Sequence, residues 1–184
     1  MLKLRWLLAV LLGVFLSSAV LAAPPAGIWQ NPAIKDAGAM HPLPQAVFQP
    51  DKNTIYKVVF SINHPAKGTQ DPDGGLEPVA RAVNIFASAG VPLDHLKFVA
   101  IIYGGATPMV LDDAHYQKQF HKHNPNLAAI RALKAAGVEI AVCGQAVAGF
   151  GYQNDWVDPD VKVALSALST MIILQHQGYV LVPL

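Results

Sequence analysis

Lys97-Phe98-Val99-Ala100-Ile101-Ile102-Tyr103, closing on Gly104-Gly105, is the stretch that decides the fold. It is apolar at consecutive positions, so neither face of the strand it forms is meant for water. A strand hidden on both faces belongs to a parallel sheet covered on each side by helices. The neighbouring segments fit that reading. Tyr56-Lys57-Val58-Val59-Phe60-Ser61-Ile62 is a β-branched and aromatic run that ends at Asn63-His64-Pro65. Val138-Glu139-Ile140-Ala141-Val142-Cys143 is another, turning at Gly144-Gln145, and Tyr179-Val180-Leu181-Val182 is the last.

Helical patterns separate these runs. From Leu76, apolar residues recur three and four apart (Val79, Ala80, Val83, Phe86) until Gly90-Val91-Pro92. Asn124-Pro125 opens a second helix through Leu127, Ile130 and Leu133, stopped at Gly137. Asp158-Pro159 opens a third, expected to run unbroken through Val161, Ala164, Leu165, Leu168 and Ile172 to Gly178. Alternating strand and helix predicts an α/β domain over 55–184, with a small, mostly parallel sheet and helices on both faces in three layers.

Ahead of that domain the chain reads differently. Lys3 and Arg5, the apolar stretch from Trp6 to Leu16, and Val20-Leu21-Ala22 have the three parts of a secretory signal peptide over 1–22. Cleavage after Ala22 is expected, with an uncleaved amino-terminal anchor as the alternative. The product is expected to be periplasmic or otherwise exported, with no stable membrane span. Residues 23–54 hold Pro24, Pro25, Pro32, Pro42, Pro44 and Pro50, which interrupt any regular element. Two readings stand: an extended arm on the domain or on a neighbouring subunit, anchored by Trp29, Val47 and Phe48, or a disordered tether.

Without Lys3 and Arg5, 11 of the 13 Lys and Arg remain against 12 Asp and Glu, a formal net charge of −1. No basic stripe is present, which argues against nucleic acid as a partner. Exported proteins favour paired cysteines, yet Cys143 stands alone in this chain. It is therefore either a small buried hydrophobe or a reagent. In open parallel sheets ligands gather outside the carboxyl ends of the strands. Asn63-His64, Gly104-Gly105 and Cys143-Gly144-Gln145 all fall there, so the expected site is Cys143 as the reacting thiol with His64, Gly104, Gly105, Gly144 and Gln145 around it. His64 is the candidate to favour a thiolate.

Other groups point less sharply. His115 and His121-Lys122-His123 invite a metal, but a solvated segment before a helix fits them better. Asp71-Pro72-Asp73-Gly74-Gly75 lacks the closing carboxylate of a calcium loop and reads as a turn. Lys67-Gly68 makes no phosphate loop, Asp112-Asp113 reads as a helix start, and Gly-x-Ser-x-Gly is absent. Neither a metal nor a cofactor is expected.

From Lys57 to Leu184 the chain resembles the DsrE/DsrF-like family. The resemblance is carried by Tyr103-Gly104-Gly105-Ala106, by Asn124-Pro125-Asn126-Leu127 leading into Leu133-Lys134-Ala135-Ala136-Gly137-Val138, and by Val142-Cys143-Gly144-Gln145. The closing segment from Val161 to Gln177 with Gly178-Tyr179 adds to it. The resemblance, here to an exported branch, implies a small α/β domain that assembles into trimers or hexamers. It also implies that the cysteine aligning with Cys143 carries sulfur as a persulfide, exchanged with a donor or acceptor protein. Two functions follow as expectations: a sulfur carrier or sulfurtransferase-like protein working through Cys143, or a non-catalytic oligomeric module that binds a small ligand or a protein and whose cysteine is structural. The apolar residues of the last helix, Val163, Leu168, Met171, Ile172 and Ile173 among them, are too many for one sheet face to cover, which also predicts subunit contacts.

Overall fold

Five strands lie side by side in the order β4-β3-β2-β1-β5, every neighbouring pair parallel. The computed structural model describes residues 28–64 and 75–184. The signal-peptide reading, the loop with Lys67-Gly68 and the turn at 71–74 lie outside the described residues. In chain order the elements are β1 (Tyr56–Ile62), α1 (Leu76–Ser88), β2 (Leu96–Ile102), α2 (Asp113–Phe120), α3 (Leu127–Ala135), β3 (Glu139–Cys143), α4 (Gly144–Gly149), β4 (Lys162–Ala164), α5 (Ala167–His176) and β5 (Val180–Pro183). The parallel α/β class expected from the doubly apolar strands is the observed one.

Side chains alternate across the sheet, and the two faces differ in depth. Phe60 and Ile62 of β1, Phe98, Ala100 and Ile102 of β2, and Ile140 and Val142 of β3 face the larger core. There α1 covers them with Leu76, Val79, Ala80 and Val83, and α3 with Leu127, Ile130 and Leu133. The other face presents Val59, Val99, Ile101, Ala141 and Cys143, against which α5 buries Ala167 and half-buries Met171 and Leu174. One helix is a thin cover. Leu168, Ile172 and Ile173 of α5 stay 69, 49 and 55 % exposed.

The single long helix expected after Asp158 is instead a strand and a shorter helix. The Asp158 carboxylate accepts the N–H of Asp160, and its carbonyl accepts that of Val161, making a turn. Lys162-Val163-Ala164 then pairs with Ala141-Val142-Cys143 as β4. Ser166 restarts the chain as a helix, its hydroxyl accepting the N–H of Ser169. The apolar spacing merged the two because a three-residue strand is too short to show its own period. Similarly, α3 begins at Leu127 rather than Pro125, while Asn124 ties the entry by accepting the N–H of Asn126 and donating to the carbonyls of Met109 and Leu111.

The proline-rich arm is docked on α1. Fully buried Asn84 accepts the N–H groups of Ala33 and Ile34 and donates to the carbonyls of Ile34, Ala37 and Gly38. Gly38, at φ +68, lies so close to Ala80 that a Cβ would sit 2.2 Å from its carbonyl carbon. The anchors are Ile34 and Met40, both buried. Trp29, Val47 and Phe48, expected to anchor the arm, are 63, 78 and 99 % exposed. The reason is local: Asn84 satisfies the backbone of 33–38 and Met40 exchanges backbone hydrogen bonds with Gln30, so the side chains beside those bonds are the ones drawn inward.

Candidate functional site

Cys143 ends β3 and stands at the N-cap of α4. Its backbone is still extended, at φ −68 and ψ 111, so the chain turns sharply at Gly144 and starts a helix there. The need for glycine at 144 is steric. A Cβ would lie 2.7 Å from the Ala164 carbonyl oxygen, a backbone atom with no room to move. This close approach seats the β3–α4 elbow on the β4–α5 connection, and the Gln145 amide reinforces it by donating to the Leu165 carbonyl at 3.1 Å.

The register sets the lateral neighbours of the thiol. Cys143 pairs with Ala164 on one side. Ile102 pairs with Val142 on the other, which brings Tyr103 alongside Cys143. Tyr103, Ala146 and Ala164 are half-buried against the same small cluster. Cys143 itself is 7 % exposed and is a free thiol. Ala167, in the first turn of α5, is buried in that cluster too. The amino-terminal ends of α4 and α5 therefore both lie at this corner of the sheet. The first-turn backbone N–H groups of α4 and α5 and the apolar wall of Val59, Ile101 and Ala141 are the surroundings of this corner.

Gly104 and Gly105 are exposed at the end of β2, beside this corner. Gly104 takes φ +54, close over Asn63, and its carbonyl accepts the Thr107 hydroxyl at 2.8 Å. Of the expected site, Cys143, Gly144, Gln145, Gly104 and Gly105 thus occupy adjoining strand ends. His64 is not with them. One strand, β2, separates β3 from β1, and the exposed His64 imidazole turns toward the far edge, its Nδ1 3.3 Å from the Leu184 carbonyl oxygen. Its place beside Cys143 fails because β2 lies between β1 and β3, and β5 draws the β1 end the other way. In its stead the structure brings Ala164, Leu165 and Ser166, hidden in sequence by the merged helix. The signal that marks them is Ser166 as an N-cap.

His115 and His123, near α2, each face a carboxylate. His115 Nδ1 is 2.9 Å from Asp112, which also caps α2, and its ring stacks on Trp156 at 4.7 Å. Burial pushes the Asp112 carboxyl up, but the backbone N–H and imidazole of His115 outweigh it and hold it below its ordinary value. His123 Nδ1 is 2.7 Å from Asp113, whose carboxyl is lowered by that imidazole and by the Asn124 N–H. Among the described residues no three His, Cys, Asp or Glu side chains converge as metal ligands, and no helix is long and apolar enough to cross a membrane. A cavity of about 280 Å³ between Leu93, Lys97 and Ala136 lies at the amino ends of β2 and β3, away from Cys143.

The match to the model of the DsrE/DsrF-like family runs over residues 56–183, and the chain belongs to that family. Among solved structures it is similar to the MTH1491 protein of Methanobacterium thermoautotrophicum, a protein of unknown function, at 16 % identity and TM-score 0.49, covering 70 % of this chain and 99 % of that one. It is also similar to the ychN protein of E. coli, at 15 % identity and TM-score 0.45, over 70 % of this chain and 99 % of that one. No curated protein matches it.

Proposed function

We propose that this chain handles sulfur, with Cys143 accepting a sulfane sulfur and passing it on. Membership of the DsrE/DsrF-like family suggests a sulfur-related function. The observation that carries the finer reading is the placement of Cys143: the one cysteine of the chain ends a central strand at a corner where two helices begin. The step balances simply. The Cys143 thiolate attacks the outer sulfur of a donor R–S–S⁻, the S–S bond of the donor breaks, and R–S⁻ leaves with the electron pair. The resulting persulfide on Cys143 yields that sulfur to an acceptor nucleophile by the same displacement, regenerating the thiolate. Neither step needs a cofactor.

In this account the protein is exported, on the strength of its amino-terminal sequence, and works as a homo-oligomer of three or six copies. The uncovered face of α5 supports assembly. Donor and acceptor would be proteins or small sulfur compounds of its compartment. A second reading is favoured by one observation, the 7 % exposure of Cys143 within an apolar cluster: a structural cysteine in an oligomeric binding module. Single-turnover transfer separates the two. A chain treated with polysulfide and desalted should convert cyanide to thiocyanate in a Cys143-dependent way. No thiocyanate above the Cys143→Ser background would leave the structural cysteine standing.

A further inference from the structure

Two stretches of this chain expose apolar side chains and contain no charged residue of their own. From Val163 to Leu184 there is no Asp, Glu, Lys or Arg, and none from Ala37 to Pro50. The first stretch contains α5, with Leu165, Leu168, Ile172 and Ile173 49–78 % exposed. The second contains the tip of the arm, where Val47 is 78 % and Phe48 99 % exposed. That tip is built, not loose. Gln49 folds back to donate to the carbonyls of Leu43 and Ala46 at 2.8 and 2.9 Å. Behind this clamp Phe48 is held at φ +58, a conformation that a bulky residue avoids. A strained backbone that presents a whole aromatic ring to water stabilises nothing within the subunit. The family match begins at residue 56, so the arm is an addition to the part of the chain that the family model describes.

We infer that the arm tip is a docking element for a second copy of this chain: Phe48 seats on the uncharged face of α5 in the neighbouring subunit. The inference rests on the reading of α5 as a contact between copies and goes further, to what completes that contact. The size of α5 is the reason a completion is needed. Its 10 residues make a cylinder about 15 Å long and 10 Å wide, a footprint on the order of 150 Å². A stable interface takes roughly 800 Å² from each partner, so even with generous side-chain relief α5 falls short. The arm tip is another uncharged apolar surface of the same chain, and aromatic side chains are the usual anchors of an interface. Neither α5 nor the arm tip supplies a charged side chain of its own to a charged partner, whereas a second copy brings a matching apolar element.

Phe48 is almost fully exposed, so replacing it leaves the subunit fold intact, which circular dichroism verifies. Assembly of the purified chain is measured by sedimentation velocity over a concentration series for the parent, Phe48→Asp, Ile172→Asp, and the Phe48→Ala, Ile172→Ala pair singly and together. The expected result is assembly weakened about tenfold or more by Phe48→Asp, with the paired alanine variants losing less together than the product of their separate losses, as contacting residues do. Phe48→Asp assembling like the parent while Ile172→Asp dissociates overturns the arm inference alone. Both aspartate variants assembling like the parent, or a parent that is strictly monomeric, overturns the α5 contact and the arm inference together.

Discussion

Replacing Asn84 tests how the arm is held. Its amide makes five hydrogen bonds of 2.8–3.1 Å to the backbone of residues 33–38. At about 1 kcal/mol net each, Asn84→Ala would cost on the order of 5 kcal/mol if the arm stayed in place. The arm has a cheaper response, which is to leave α1 and hydrate its backbone. The loss is then capped by what docking is worth. Burial of Ile34 and Met40 contributes about 1.5–3 kcal/mol each, offset by the cost of ordering the segment. A local loss of about 2–3 kcal/mol results, equivalent to a roughly 30- to 150-fold rise in arm opening at 1.4 kcal/mol per decade. Hydrogen exchange reads this directly. The amides of Ala33, Ile34 and Gly38 should lose protection by that factor in Asn84→Ala and in Asn84→Leu, which restores the volume but not the bonds. Amides of β1 to β3 should keep theirs. Unchanged protection of 33–38, or loss spread equally through the sheet, would refute the clamp.

Three further outcomes are expected. Gly144→Ala forces a Cβ to within 2.7 Å of the Ala164 carbonyl oxygen and should lower stability by about 1–3 kcal/mol with exchange quickening first in β4; a parent-like melting curve would contradict it. The Asp112 carboxyl is held below its ordinary value of 3.8 by His115, so its contribution is complete above that pH and is lost as pH falls through the folded value. Acid titration of urea stability should therefore show a shallower loss below pH 3.8 for Asp112→Asn than for the parent, and identical slopes would remove Asp112 from the account. Because Cys143 is 7 % exposed, a small methylthiolating reagent should modify the folded chain well ahead of a bulky aromatic disulfide. Equal rates would mean that the thiol is reached by opening of the whole corner rather than through it.

The core of the sheet was readable because its physics is local and repetitive. Phe98 to Ile102 could only be a strand covered on both faces, and Leu76, Val79, Ala80 and Val83 could only be one face of a helix. β4 was not readable, since Lys162-Val163-Ala164 is defined by pairing with β3 and carries no pattern of its own. Which side chains of the arm turn inward was hidden for a related reason. Burial there follows the backbone bonds, those of Asn84 with 33–38 and the Gln30–Met40 bridge, so Ile34 and Met40 go in while the larger Trp29 and Phe48 stay out. At the site, the strand-end rule brought Gly104, Gly105, Gly144 and Gln145 to Cys143, because neighbouring strands end together. It failed for His64, because strand order is a property of the whole sheet and β1 is not a neighbour of β3.

The claim that Cys143 carries sulfur is tested most directly by intact-mass analysis of the folded chain after brief exposure to inorganic polysulfide, without denaturant. The expected product is a species heavier by one sulfur atom, removed by a reducing thiol and absent from Cys143→Ser. A parent chain whose mass does not change until it is unfolded would contradict it and make Cys143 a packing residue of the α5 face.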